Sequence, residues 1–412
     1  MTEASTGARA GAPSALQHTG GIARSTLILM AIACGLSVAG NYFAQPLVEA
    51  IRTDLGLGPT LAGLVVTAAQ AGYALGLVFL VPLGDLLERR RLAVILTALT
   101  ALLLAFTAAS SNGMMLLVGT ALTGLCSVAA QIVVPYAATL AAPEAKGKAV
   151  GTVMSGLLLG ILLSRTAAGL LAEAGTWRTV YWINAVLMAI MALALWRALP
   201  SLRTPTSLSY AALLRSVATL LRTEPVLRIR CYLGFFSFAA FGVLWTAIGF
   251  LLATAPYNWT EAAIGLFGLV GAAGALMAIS AGRLADRGHV HWVTGAGALL
   301  LALSWIPMAA GTTSLIALLI GVIVLDLAVQ AVHISNQNVV YAIRPEARNR
   351  LNSAYMTSYF LGGAIGSAVT SSVRVTYGWG GVCAVGALVS VLAFLVWAAD
   401  RVRARHGGLP AA

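Results

Sequence analysis

Charge is what this sequence has least of. Only 9% of its 412 residues are Asp, Glu, Lys or Arg, against roughly 25% in a soluble domain. That is too few to cover a water-facing surface, so an ordinary soluble enzyme is excluded. Cysteine is scarce too. Cys34, Cys126, Cys231 and Cys383 stand singly inside apolar segments, without metal-ligand spacing or a pair placed for an external disulfide. They read as small apolar packing residues. No ten-residue alternation suggests a barrel. No short apolar core with a cleavage site suggests a removable signal peptide, and the first span is expected to serve as its own insertion signal. No phosphate-cradling Gly loop follows a strand, and no His or carboxylate cluster sits at a membrane edge. These absences argue against a membrane enzyme, a metal cofactor and direct ATP coupling.

What is present is apolar: 59% hydrophobic residues and 43 glycines, and glycine is commoner in transmembrane than in soluble helices. A span needs roughly 20 mostly apolar residues. That length predicts helices over 25–48, 60–82, 92–111, 114–140, 149–172 and 178–198, then 231–254, 261–281, 291–311, 314–342, 351–374 and 379–399. The first 24 residues, rich in Ala, Gly, Ser and Thr, read as a disordered tail.

The net charge of +12 does not mark nucleic-acid binding, because no folded basic domain holds it. Most basic residues sit in the segments that share a side with the N-terminus. They include Arg24, Arg89, Arg90, Arg91, Lys146, Lys148, Arg344, Arg348, Arg350 and Arg401. Across the membrane stand only Arg52, Arg178 and Arg374, with Arg165 inside a span. Positive charge stays in the cytoplasm, so both termini are expected there, facing anionic lipid.

The chain repeats itself. Residues 143–178 lie over 345–380 at an offset of 202, pairing Lys146 and Lys148 with Arg348 and Arg350, Gly160 with Gly362, and Trp177 with Trp379. Leu83-Gly84-Asp85 meets Leu284-Ala285-Asp286 at an offset of 201. The predicted organisation is a tail (1–24), a six-helix bundle (25–198), a cytoplasmic linker (199–230), a second bundle (231–399) and a C-terminal tail (400–412). Parallel repeats of this kind place a substrate site at the midplane between the halves. Within the linker, Ser209 to Leu221 reads equally as a short amphipathic surface helix or as plain connection.

Gly282-Arg283-Leu284-Ala285-Asp286-Arg287-Gly288, and Leu83-Gly84-Asp85 with Arg89, Arg90 and Arg91, resemble the loop motif of the major facilitator superfamily. The resemblance covers essentially the whole chain. It implies an all-α membrane protein of twelve helices in two pseudo-symmetric bundles. Asn41-Tyr42-Phe43-Ala44-Gln45-Pro46-Leu47 is similar to bacterial drug or sugar (arabinose-type) efflux permeases of the inner membrane. Two departures from drug antiporters stand out: Thr120 occupies their fourth-span Arg position, and Ile161 follows Gly156 and Gly160 in place of Pro. An Asp at a cytoplasmic helix end can accept hydrogen bonds from a neighbouring helix N-terminus and pair with Arg. Asp85 and Asp286, with Arg89, Arg287, Lys148 and Arg350, are therefore expected to latch the cytoplasmic side in the outward-facing state.

Ionisable residues at membrane depth are functional candidates. Arg165 lies about 16 residues into the fifth span, roughly 24 Å along it, and Asp326 lies near the middle of the tenth. Gln330, His333 and Gln337 follow Asp326 on one helix face. Fainter polar stripes comprise Ser37, Asn41 and Gln45 with Tyr42, then Thr123, Ser127 and Gln131, then Asn352, Tyr355 and Tyr359. Phe235, Phe238, Phe241 and Trp245 form an aromatic face that fits a cavity or lipid equally well. The expected substrate-binding set is Asn41, Tyr42, Gln45, Gln131, Arg165, Trp245, Gln330, His333, Gln337 and Tyr359. Asp326 is the favoured proton carrier, because a desolvated carboxylate holds a proton near neutral pH; His333 shares it. Arg165 binds an anionic substrate, holds a pair with a carboxylate, or is held structurally by a hydrogen bond to Asn41, Gln45 or backbone. The expected function is proton-coupled export of a sugar or small amphiphilic compound by a monomer, with the proton gradient as energy source and no cofactor. An importer of a small organic anion anchored on Arg165, or a transporter-like receptor, is the alternative.

Overall fold

The computed structural model of the protein describes residues 22–142, 145–201, 209–271, 284, 288–344 and 347–406, the last with side chains to 403. All regular structure among them is helical. The first half comprises α1 (Arg24–Ala39), α2 (Ala44–Asp54), α3 (Pro59–Phe79) with a 3-10 turn at Val81–Asp85, α4 (Arg89–Ala108), α5 (Gly113–Cys126), α6 (Ala129–Leu140), α7 (Lys146–Ala174) and α8 (Trp177–Ala198). After α9 (Tyr210–Thr223) come α10 (Pro225–Ala253), α11 (Glu261–Phe267) running into a 3-10 turn at Gly268–Gly271, α12 (Val290–Leu303), α13 (Trp305–Ala309), α14 (Leu315–Ile343) and α15 (Arg348–His406). Nine runs among the described residues are long and apolar enough to cross a bilayer, ten if the bent pair α1–α2 is one span. The α15 run holds two spans, separated at Gly378, whose φ of +61° suits glycine alone among ordinary residues. The eighth span is described only from its start to Gly271. The architecture is the predicted all-α one, and its element order is consistent with twelve spans.

The two halves repeat in register. Spans start at residues 24, 59, 89, 113, 146 and 177 in the first half. The described starts at 225, 261, 290, 315 and 348 follow them by 201 or 202 residues. Large apolar side chains such as Leu102, Ile306, Ile316 and Leu388 are exposed on the outside, as a lipid-facing surface requires.

Breaks in the long helices have local causes. The first span bends by 42° between α1 and α2. The fourth breaks at Ser127 and Val128, where the Ser127 carbonyl accepts from Ser37 Oγ at 2.8 Å and Ser127 Oγ donates to the Thr123 carbonyl at 2.7 Å. Ser37 of the first-span stripe and Ser127 of the fourth-span stripe therefore tie α1 to the fourth span. Gly156 and Gly160 bring α7 against α1: a Cβ on Gly160 would stand 2.4 Å from the Gly35 Cα.

One expectation is corrected here, and one open alternative is decided. The seventh span begins at Pro225, not 231, because Pro at the first helical position lets a helix start there and basic residues tolerate the membrane edge. Arg230 is consequently a buried helix residue rather than a loop charge. The linker segment from Ser209 is a capped helix, with Ser209 Oγ accepting from the Ala212 amide; Leu213 and Leu220 are buried. The predicted tail over 1–21, the linker residues 202–208, the rear of the eighth span and residues 407–412 lie outside the described residues.

Candidate functional site

A cavity of about 430 Å³ opens between the halves. Its mouth is on the face that carries α9 and the first turns of α4 and α15, here the basal face: Asp85, Arg89, Leu213, Val217, Arg348 and Arg350 line it. Its floor is Tyr42, Arg165, Phe241 and Asp326.

The floor rests on a three-residue sandwich. The Arg165 guanidinium of α7 lies 4.0 Å from the Trp245 ring centroid, with Tyr42 at 5.1 Å and Phe241 at 5.5 Å. Its Nε donates to Gln45 Oε1 at 2.6 Å. On the other side, Trp245 Nε1 donates to Asp326 Oδ1 at 3.3 Å. Arg165 and Asp326 are only 3% and 4% exposed, and they come from opposite halves. The indole thus joins a cation of the first half to a carboxylate of the second, and no direct ion pair between them is present among the described residues. The eighth span presses bare backbone onto both charges. A Cβ on Gly268 would meet Arg165 Cβ at 2.8 Å, and one on Gly271 would meet Asp326 Oδ2 at 3.0 Å.

The walls are aromatic and amide-bearing. Phe238 stacks on Tyr359 at 3.9 Å and on Phe241 at 4.9 Å. Gln131 Nε2 donates to Tyr73 Oη at 3.2 Å, while Gln330, His333 and Gln337 face the same space. Phe238, Phe241 and Trp245 of the α10 aromatic stripe therefore face inward, not lipid. Of the residues singled out in the sequence, Tyr42, Gln131, Arg165, Asp326, Gln330, His333, Gln337 and Tyr359 lie on the cavity wall. Gln45 and Trp245 stand behind it, holding Arg165. Asn41 is buried beside the bend, with neither side-chain polar atom partnered among the described residues.

The expected basal latch is not made. Asp85 lies 3.9 Å from Arg89 of its own half, and Arg89 bonds Thr139 Oγ1 at 2.7 Å and the Gly84 carbonyl at 3.4 Å. Arg350 lines the mouth and Lys148 is exposed, and neither makes an ion pair with Asp85 among the described residues. Asp286 and Arg287 lie outside the described residues.

The opposite, distal face is sealed by contacts between the halves. Glu173 of α7 accepts from Thr260 Oγ1 at 2.9 Å and from the Ala262 amide at 3.2 Å, at the start of α11. Thr166 Oγ1 donates to the Gly265 carbonyl at 3.1 Å. Ser367 Oγ meets both Thr67 Oγ1 and Thr246 Oγ1 at 2.9 Å. Gly169 and Gly265 allow the backbones to touch: a Cβ on Gly169 would lie 2.2 Å from the Glu261 carbonyl oxygen.

Behind the cavity wall stand Tyr355, which the sequence places on a polar stripe but outside the expected binding set, and Arg230, which the sequence does not single out. Arg230 is 1% exposed and was hidden among the linker's basic residues. The signal was Glu224-Pro225, a helix start about one and a half turns earlier than the apolar run suggested.

A cavity between two repeated bundles, open on one face and sealed on the other, coincides with a sequence match. The model of the Major Facilitator Superfamily covers residues 30–289 and 231–411. The chain belongs to the major facilitator superfamily. This superfamily member is 56% identical over 371 residues to the "Uncharacterized transporter YgaY" of Escherichia coli O157:H7, covering 90% of this chain and 94% of that one. It is 35% identical over 392 residues to the "Probable transporter SCO4007" of Streptomyces coelicolor, covering 95% and 90%. A solved mutant of the nucleoside transporter NupG shares its fold with a TM-score of 0.76 at 14% identity, over 91% of this chain and 98% of the other. The protein is a multi-pass secondary transporter, and its family takes small-molecule substrates.

Proposed function

We propose that this transporter works by alternating access, is coupled to protons and exports a sugar or small amphiphilic compound across a bacterial inner membrane. The observation that carries the reading is the Arg165–Trp245–Asp326 sandwich, which places two buried opposite charges of opposite halves at the sealed end of the cavity. A proton arriving on Asp326 removes one charge of the pair, and the halves lose an attraction that only the closed distal side supplies. A buried charge without its partner is expensive, so protonation and the movement of the halves are linked. Basic residues crowd the basal face, and the preference of positive charge for the cytoplasm supports placing that face inside. The cavity is then loaded from inside, as export requires. Stacked rings with interleaved amides suit a sugar face or an amphiphile, and the likeness of residues 41–47 to efflux permeases points the same way.

The second reading is import of a small organic anion. Arg165 Nη2 is buried with no hydrogen-bond partner among the described residues, a vacancy that a carboxylate would fill. The two readings differ in sign. An exported substrate that competes with the proton releases it on binding. An anion on Arg165 removes the counter-charge of Asp326, which then takes a proton up.

Everted vesicles with an acid lumen test this, with chloramphenicol and isopropyl thiogalactoside as probes. Proton-driven accumulation is expected for the wild type and its loss for Asp326→Asn, while downhill exchange persists. Uphill accumulation by Asp326→Asn at the wild-type rate removes Asp326 from coupling.

A further inference from the structure

Behind His333 runs a chain of buried polar groups that nothing in the coupling scheme uses. Arg230 Nη1 reaches Asn336 Oδ1 and Thr294 Oγ1, each at 3.2 Å. Asn336 Nδ2 lies 3.5 Å from Tyr355 Oη, and Tyr355 Oη lies 3.1 Å from His333 Nδ1. Arg230, Asn336 and Tyr355 are all buried, and the space for the tyrosine ring depends on Gly234, where a Cβ would meet Tyr355 Cε2 at 2.7 Å. Four helices contribute: α10, α12, α14 and α15. Only the last group, His333, reaches the cavity wall.

The chain has a direction fixed at its buried end. A guanidinium can only donate, so Asn336 presents its oxygen to Arg230 and its NH2 group toward Tyr355. The tyrosine oxygen accepts there. Its hydroxyl hydrogen then has His333 Nδ1 as acceptor, and a neutral imidazole that accepts at Nδ1 carries its proton on Nε2.

We propose that Arg230, Asn336 and Tyr355 are positioning residues that lock His333 as a neutral Nε2–H donor facing the cavity. The donor recognises an acceptor oxygen, hydroxyl or carbonyl, of a substrate whose flat or apolar body lies along Tyr359 and Phe238. The His333 ring packs against Tyr359 with centroids 4.5 Å apart and planes tilted by 42°, which fixes the angle at which the donor enters. This deepens the transport reading and rests on it for the word substrate. It also moves His333 from proton carriage to specificity. A site built around a hydrogen-bond donor discriminates strongly against analogues that lack the acceptor, since the donor would be left unpaired.

The test is the tautomer itself, read by nitrogen NMR of histidine-labelled, full-length protein in lipid nanodiscs at neutral pH. His333 is assigned by the signal lost in His333→Gln. The expected pattern is a protonated Nε2 and a bare Nδ1. In Tyr355→Phe, which keeps the ring and removes the hydroxyl, the signal becomes a tautomer mixture. Isopropyl thiogalactoside, rich in acceptor oxygens, or chloramphenicol, with its amide carbonyl, is expected to shift the Nε2 resonance of His333 and leave His289 and His291 in place. A protonated Nδ1 in the wild type, or an unchanged tautomer in Tyr355→Phe, overturns the lock. No shift with either probe overturns the recognition role. Neither readout requires transport, so a failure of proton coupling is told apart from a failure of this proposal.

Discussion

At the scale of single residues, the floor of the cavity is where the low charge content matters most. Two ionisable groups at depth are held by an indole, an amide and glycine backbone. Removing one member of a buried charge pair leaves the other uncompensated, at a cost of about 3–5 kcal/mol. Arg165→Leu and Asp326→Leu are each expected to lower the unfolding temperature in detergent substantially. The double substitution is expected to recover much of that loss, because it removes both charges from the apolar layer. Thermal unfolding of the four proteins checks this, and a double mutant as unstable as the two losses added together shows that the charges do not interact. Both residues were legible in the sequence, because a charged residue inside an apolar run has few explanations. Their connection through Trp245 was not, since it depends on how α7, α10 and α14 cross. Asn41 shows the same limit in reverse: its position on a polar stripe suggested the cavity, but the bend of the first span turns it into the bundle.

At the scale of elements, apolar run length placed the spans to within a few residues, because a bilayer fixes how long a helix must be. It misplaced the start of α10 by about one and a half turns, since Arg228 and Arg230 end an apolar run without ending a helix. The contacts between elements depend on backbone approach, which only glycine permits at these distances. The distal seal illustrates this. At Gly169, α7 meets α11 so closely that Gly169→Val cannot be accommodated without separating the two helices. Because that contact lies between the halves, separation opens the distal face rather than unfolding a bundle. A Ser367→Cys reporter, buried in the seal beside Thr67 and Thr246, is expected to react several-fold faster with an impermeant maleimide in the Gly169→Val background. The four native cysteines are buried and contribute little labelling of their own. An unchanged reporter rate would mean that the seal does not depend on this crossing.

At the scale of the whole molecule, the proposed alternating access requires that the two ends of the cavity are not open together. Each half packs as its own bundle, so opening the distal face by rotation closes the basal one. In the present state the distal face is sealed, and the Asp85 carboxylate stays with Arg89 of its own half while Arg350 lines the open mouth. The loop motif suggests a cross-half latch, which this conformation does not make; one sequence serves every conformation, so the motif carries no information about which one is adopted. An Asp85→Cys/Arg350→Cys pair reports the switch. Oxidation is expected to cross-link it slowly in the resting protein and several-fold faster when Gly169→Val opens the distal side. Cross-linking at the same rate in both backgrounds, while the Ser367→Cys reporter speeds up, would mean that the distal helices splay without moving the halves. The rigid-body account would then fail, even with the distal gate correctly located.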